Sequence, residues 1–186
     1  MRIVAGSLRG RAIAAPDHEG LRPTADRVRE SMFNILEHGN QALRIGGARV
    51  IDLFAGTGAL GLEALSRGAA FCLFVEDNAT ARALIRENIE SFQLTGQTRI
   101  FRRDATDLGP VGTMAPFALA FLDAPYGKGM SEKALAALVD GGWLEPGAMA
   151  VIEERAGTEV ALPATFAEID RRKYGDTQIL FARFTG

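Results

Sequence analysis

The chain has 186 residues, 47% hydrophobic and 24% charged, which suits one soluble domain with a full core and is too short for two large ones. Its net charge of −2 argues against a uniformly basic nucleic-acid binder, yet 18 of the 21 basic residues are arginine and they are unevenly spread. The single cysteine, Cys72, excludes an intramolecular disulfide, the isolated His18 and His38 exclude a Cys/His metal centre, and no apolar run is long enough to cross a bilayer or to serve as a secretory signal, so the expectation is a cytoplasmic, metal-free monomer. In chain order, residues 2–5 and 10–14 predict a small β-hairpin or a pair of extended strands around the turn at Gly6–Gly10. A loop with Pro16, Gly20 and Pro23 follows, and Thr24 is the predicted N-cap of a helix running to His38, with Val28, Met32, Ile35 and Leu36 on one face. Strands are then predicted over 48–53, 70–76, 98–102, 117–122 and 148–153, and helices over 59–66, 78–94 and 131–139. Two extended runs, 165–173 and 177–184, split by Tyr174-Gly175-Asp176, close the chain as a hairpin.

The middle strands are apolar on both faces and alternate with helices, which is the pattern of a parallel sheet covered on both sides. An α/β fold that ends in an antiparallel hairpin has the layout of class I S-adenosylmethionine-dependent methyltransferases, whereas a dinucleotide-binding fold would be expected to stay parallel. The division expected is an RNA-contacting hairpin extension over 1–22 and a methyltransferase domain over 23–186.

The first core strand runs into Asp52-Leu53-Phe54-Ala55-Gly56-Thr57-Gly58-Ala59-Leu60-Gly61. Gly56 and Gly58 permit a tight turn and close approach of backbone to a ligand, and with Gly61 they spell G-x-G-x-x-G, a weak signal for a dinucleotide by itself. Asp52 shifts the reading, because an acid at the strand tip repels a pyrophosphate and suits the cationic amino-acid end of S-adenosylmethionine. Cofactor contacts are expected from Asp52, Phe54, Ala55, Gly56 and Gly58. Glu76 closes the second strand, where a carboxylate accepts from both ribose hydroxyls, with Asp77 beside it either sharing that role or serving as a helix N-terminal charge. Asp104 and the Ala105 N–H follow the third strand and are placed for adenine; a loop acid is the alternative for Asp104.

Asp123-Ala124-Pro125-Tyr126 follows the fourth strand and is the expected catalytic loop. An exocyclic base amine is a poor nucleophile because its lone pair is delocalised into the ring. The Asp123 carboxylate and the Ala124 carbonyl supply two acceptors that localise the pair and stabilise the charge developing on nitrogen, and Asp123 also borders the cofactor. Pro125 restrains the turn and Tyr126 can stack on a flipped base. The arginines Arg2, Arg9, Arg11 and Arg22 have no close acidic neighbours in sequence and read as phosphate contacts. Arg27 continues that patch, although Arg27 or Arg29 paired with Glu30 along a solvated helix face is the competing reading.

Met1-Arg2-Ile3-Val4-Ala5-Gly6, Leu8-Arg9-Gly10-Arg11, the run from Leu21 to Glu30, and Phe33-Asn34, together with the glycine loop and Glu76, resemble the RsmD family of 16S ribosomal RNA guanine-N2 methyltransferases over nearly the whole chain. The resemblance implies N2-methylguanine as product and the small ribosomal subunit, assembled or assembling, as substrate. The chain departs from the family at Ala124, where that family's motif reads Asp-Pro-Pro; an active enzyme with a looser loop is expected, since the carbonyl is retained. Competing readings are an adenine-N6 or glutamine-N5 amino-methyltransferase, an NAD-dependent oxidoreductase, and a non-catalytic ribosome-assembly factor.

Overall fold

The computed structural model describes residues 1–16 and 23–186, with the side chains of Pro23 and Thr24 outside that description, so the readings of His18, Arg22 and the Thr24 cap lie outside the described residues. Helix α1 (Pro23–His38) precedes strand β1 (Arg49–Leu53), followed by α2 (Ala59–Ser66), β2 (Phe71–Val75), α3 (Ala79–Ser91), β3 (Thr98–Phe101), β4 (Phe117–Leu122), α4 (Met130–Asp140), β5 (Leu144–Arg155), β6 (Phe166–Tyr174) and β7 (Thr177–Phe184). The strands form one seven-stranded sheet in the order β3-β2-β1-β4-β5-β7-β6. β1 pairs in parallel with both β2 and β4, while β7 runs antiparallel to both β5 and β6.

Side-chain alternation along β1 builds the two layers. Val50 joins Met32, Phe33, Leu62, Ile85 and Phe121 in a core under α1, α2 and α3. Ile51 and Leu53 join Leu135, Leu138 and Trp143 in a second core under α4 and the segment after β3. From β1 the chain winds outward to β2 and β3, then returns to β4 on the other side and winds outward again. The carboxyl ends of β1 and β4 therefore lie side by side with connections leaving in opposite directions, which opens a crevice above them. Gly61 seats α2 on the sheet: a Cβ there would stand 2.4 Å from the Phe74 ring and 2.5 Å from Cys72 Sγ. Cys72 is a fully buried core residue.

Three departures from the sequence reading have identifiable causes. The N-terminal hairpin shrinks to a single bridge, Arg2 to Ala12. Ile3, Gly10 and Ile13 N–H still bond across it, to the Arg11, Ile3 and Met1 carbonyls, but other backbone groups go to helices: Val4 and Ala5 N–H donate to the Glu63 carboxylate, Leu8 N–H to Ser66 Oγ, and Ala14 N–H to Asn88. Helix α3 stops at Ser91, ahead of Gly96, because Gln93 adopts φ 59° and Leu94 N–H returns to the Ile89 carbonyl. β5 starts at Leu144, ahead of Ala148, and passes Pro146-Gly147 through a register shift against β4. As the sequence reading has it, no helix joins β3 to β4, and Ala105 and Leu108 of that segment fill the second core directly. The outer strand β6 carries a further register shift, between Glu168 and Asp170.

Gly61→Ala is expected to destabilise the protein by about 1–3 kcal/mol, because both neighbours of the added methyl are themselves buried and cannot step aside. The urea midpoint of the purified variant checks this, and an unchanged midpoint would refute the close seating of α2.

Candidate active site

The glycine loop is a strand-to-helix turn whose shape depends on left-handed residues. Phe54 has φ 56°, unusual for a residue with a side chain, and Gly56 and Gly58 have φ 57° and 79°. Ala55 N–H donates to the Val75 carbonyl and Gly58 N–H to the Ala55 carbonyl, which holds the loop across the tips of β1 and β2. A Cβ at Gly56 would meet nothing nearer than the Phe54 carbonyl at 4.0 Å, so that backbone is open to an approaching ligand.

Acidic side chains then converge. Glu76 accepts from Gly56 N–H on one oxygen and from Asn78 N–H on the other, each at 2.9 Å, so its carboxylate is aimed by the loop and the start of α3 and keeps lone pairs for further donors. Asp52 is 1% exposed and its Oδ2 accepts from Gly61 N–H at 3.0 Å. It therefore works from beneath the loop, reaching the crevice as charge and as support for α2 more than as an exposed grip. Burial pushes the Asp52 carboxyl well above the ordinary carboxylate range; the Gly61 bond opposes this, and the negative charges of Asp123 and Glu76 reinforce it.

Two cavities of about 530 and 540 Å³ flank these acids and share Phe54 and Asp123 as a common wall. Glu76, Asp77, Asp104, Ala105 and Ala124–Tyr126 line the first. Asp52, Ala55 and Gly56 line the second. Gly58 has no place on either wall; its left-handed turn shapes the loop while packing on Phe74. Asp104 Oδ1 accepts from both the N–H and the hydroxyl of Thr106, which lowers its pKa. It thus serves as the turn-forming loop acid on the wall of the first cavity. Asp123 N–H donates to the Leu53 carbonyl at 3.5 Å, so the fourth strand tip abuts the first. Ala124 is buried, Asp123 and Pro125 are exposed, and the Tyr126 hydroxyl donates to Glu153 and lies 3.1 Å from Thr177 Oγ1. Among the described residues no group of acids, histidines and cysteines is arranged to hold a metal ion, and no helix is long and apolar enough to cross a membrane.

The basic residues divide. Arg2, Arg9, Arg11 and Arg27 are exposed. Arg2 donates to the Gly10 carbonyl at 3.0 Å, and Arg11 donates to the Ser91 carbonyl while lying over the Phe92 ring, so both brace the leader as well as presenting charge. Arg29 does not line a solvated face: it is 6% exposed, pairs with Asp26 and Glu63, and donates to the Arg2 carbonyl.

Sequence reading misses several contributors. Met1, Pro16 and Arg29 form part of the second cavity's wall. Asn88, 2% exposed, accepts from Ala14 N–H and donates to the Ala14 and Thr57 carbonyls, tying leader to glycine loop. A polar residue between Ile85 and Ile89 on the apolar face of α3 was the signal for it. Glu153, behind Tyr126, had no local signal.

Asp52→Asn tests the electrostatics. A carboxyl whose folded pKa lies above the unfolded value of about 3.9 favours folding fully below that value and loses the contribution as pH rises through the folded pKa. The amide carries no charge and still accepts from Gly61. Thermal unfolding is expected to show a higher Tm than the parent at pH 7 and a flatter decline from pH 4 upward; a Tm several degrees below the parent at pH 7 would refute it.

The family described as Conserved hypothetical protein 95 matches residues 1–183. The chain is 42% identical over 155 residues to Ribosomal RNA small subunit methyltransferase D of Escherichia coli, covering 82% of this chain and 74% of that protein. It is 32% identical over 177 residues to the Haemophilus influenzae protein of the same name, covering 94% and 89%. The solved structure of Escherichia coli yhhF superposes with a TM-score of 0.83 at 30% identity, covering 100% of this chain and 98% of that one. With its class I methyltransferase fold and this crevice, the chain belongs to the RsmD family.

Proposed function

We propose that the protein transfers a methyl group from S-adenosylmethionine to the exocyclic N2 of a guanine in small-subunit ribosomal RNA. The observation that carries this reading is the meeting of Asp52, Glu76 and Asp123 around one crevice at the strand tips, with Glu76 and Asp123 close enough to raise the proton affinity of Asp52. Such a site opposes a pyrophosphate and favours a ligand bearing positive charge, which weighs against the NAD-dependent alternative. S-adenosylmethionine supplies an activated methyl on a cationic sulfur. Glu76 would accept from its ribose hydroxyls, Asp104 and Ala105 would border the adenine with Asp77 at the rim, and Asp52 and the loop from Phe54 to Gly58 would take its amino-acid end.

Asp123 and the Ala124 carbonyl would accept the two N–H bonds of the target amine. That localises the lone pair on nitrogen, orients it, and stabilises the positive charge formed there. The methylated nitrogen is acidic enough to shed its proton without a strong base. Tyr126 would stack on the extruded base, with Pro125 shaping the turn. Names of relatives that act on small-subunit ribosomal RNA support the substrate class. The leader, with Arg2, Arg9, Arg11 and Arg22, and Arg27 on α1 would contact phosphates.

Incubating small subunits with enzyme and labelled cofactor, then mapping the nucleotide by mass, tests the proposal. N2-methylguanine is expected. Methylated adenine, or label in protein, would support the other amino-methyltransferase readings, and binding without incorporation would support the assembly factor. Asp123→Ala is expected to slow single-turnover transfer by about 10²–10³-fold. Arg9→Ala and Arg27→Ala are each expected to weaken RNA binding and to reduce the slope of log affinity against log salt by about 1; slopes equal to the parent's would remove these residues from the RNA contact.

A further inference from the structure

The geometry points to Glu153 and Glu154 at the end of β5 as positioning residues that hold the loop at 123–127, with Glu153 setting the Tyr126 ring. This rests on the methyl-transfer reading of that loop.

The loop has little rigidity of its own. Ala124 leaves φ unrestrained where the family motif has proline, and Gly127 and Gly129 take φ 69° and 65° before α4 begins. Its fixed points lie elsewhere. The Tyr126 hydroxyl donates to Glu153 Oε1 and sits 3.1 Å from Thr177 Oγ1. Gly127 N–H donates to Glu154 Oε1 at 3.1 Å, and Glu154 is 4% exposed and further aimed by Arg155 N–H at 2.7 Å. Consecutive strand residues point to opposite faces, so the loop is gripped from both sides of β5. Burial raises the Glu153 pKa, and the Tyr126 hydroxyl opposes that by favouring the charged form. Thr177 opens β7, so the antiparallel hairpin, which holds none of the expected site residues, also helps to place the aromatic ring. A stacking ring held by its hydroxyl can rotate little, and this substitutes for the backbone restraint that Ala124 lacks.

The test compares Glu153→Ala, Glu153→Gln, Tyr126→Phe and the double variant Tyr126→Phe/Glu153→Ala. Glu153→Ala is expected to slow single-turnover transfer about tenfold at saturating RNA and cofactor, with S-adenosylmethionine affinity within about twofold of the parent. Glu153→Gln, whose amide oxygen still accepts, is expected to recover most of the rate. Tyr126→Phe should match Glu153→Ala, and the double variant should be no slower than either. Hydrogen exchange at the amides of Ala124 and residues 126–128 should quicken in Glu153→Ala. Unchanged exchange, a Glu153→Gln as slow as Glu153→Ala, or losses that multiply in the double variant would overturn the assignment. Should Glu153→Ala fail to fold, Tyr126→Phe, which deletes only the hydroxyl, carries the rate and exchange comparison. A parent that transfers no methyl would sink the functional reading, and exchange alone would then decide the clamp.

Discussion

Like charge gathered at the tips of three strands is the constraint around which the site is arranged. Carboxylates that face one another repel, and burial of Asp52 adds to the penalty. The fold offsets this with backbone donors, Gly61 N–H to Asp52, and Gly56 and Asn78 N–H to Glu76. Those donors belong to the glycine loop and to the starts of α2 and α3. The left-handed turn at Phe54–Gly58 and the close contact of Gly61 with Phe74 follow from the need to bring those amides to the acids. A ligand carrying positive charge relieves the repulsion, so folding and binding pull in opposite directions at Asp52.

The leader completes this arrangement from outside the sheet. Fully buried Glu63 receives Val4 and Ala5 N–H and the guanidinium of Arg67, with Arg29 close by at 3.4 Å. A buried carboxylate is stable only with such partners, and here they come from the leader, α1 and α2 together. Gly6 is obligatory at this junction, since a Cβ would lie 1.9 Å from the Ser66 carbonyl oxygen and φ is 81°. The segment that carries the exposed arginines is thereby fixed to the same helix that supports the glycine loop.

Much of this was legible in the residue order. β1, β2 and β4 declare themselves because strands buried on both faces are apolar throughout, and α2 lies between a glycine turn and Gly68. Glu76 was recognisable from its place at the end of a strand, and the Asp123–Tyr126 loop from its own chemistry. What stayed hidden depended on partners distant in the chain. The leader reads as a hairpin, yet Glu63, Ser66 and Asn88 take the amides of Val4, Ala5, Leu8 and Ala14. Arg29 looks like a surface residue until Glu63, more than thirty positions on, appears beside it. Glu153 is invisible without the pairing that brings β5 alongside the loop. Pro146-Gly147 imitates a turn and conceals the first third of β5.

The register shift at Glu168–Asp170 has a meaning beyond shape. β6 forms an open margin of the sheet, and an unpaired strand invites another chain to hydrogen-bond along it. The shift kinks this margin, and Arg171 and Arg172 pair with Glu168 and Asp170 along its length. A recruit would have to follow a bent backbone and lie against a run of charged side chains, so the sheet can end in solvent without becoming a seed for aggregation.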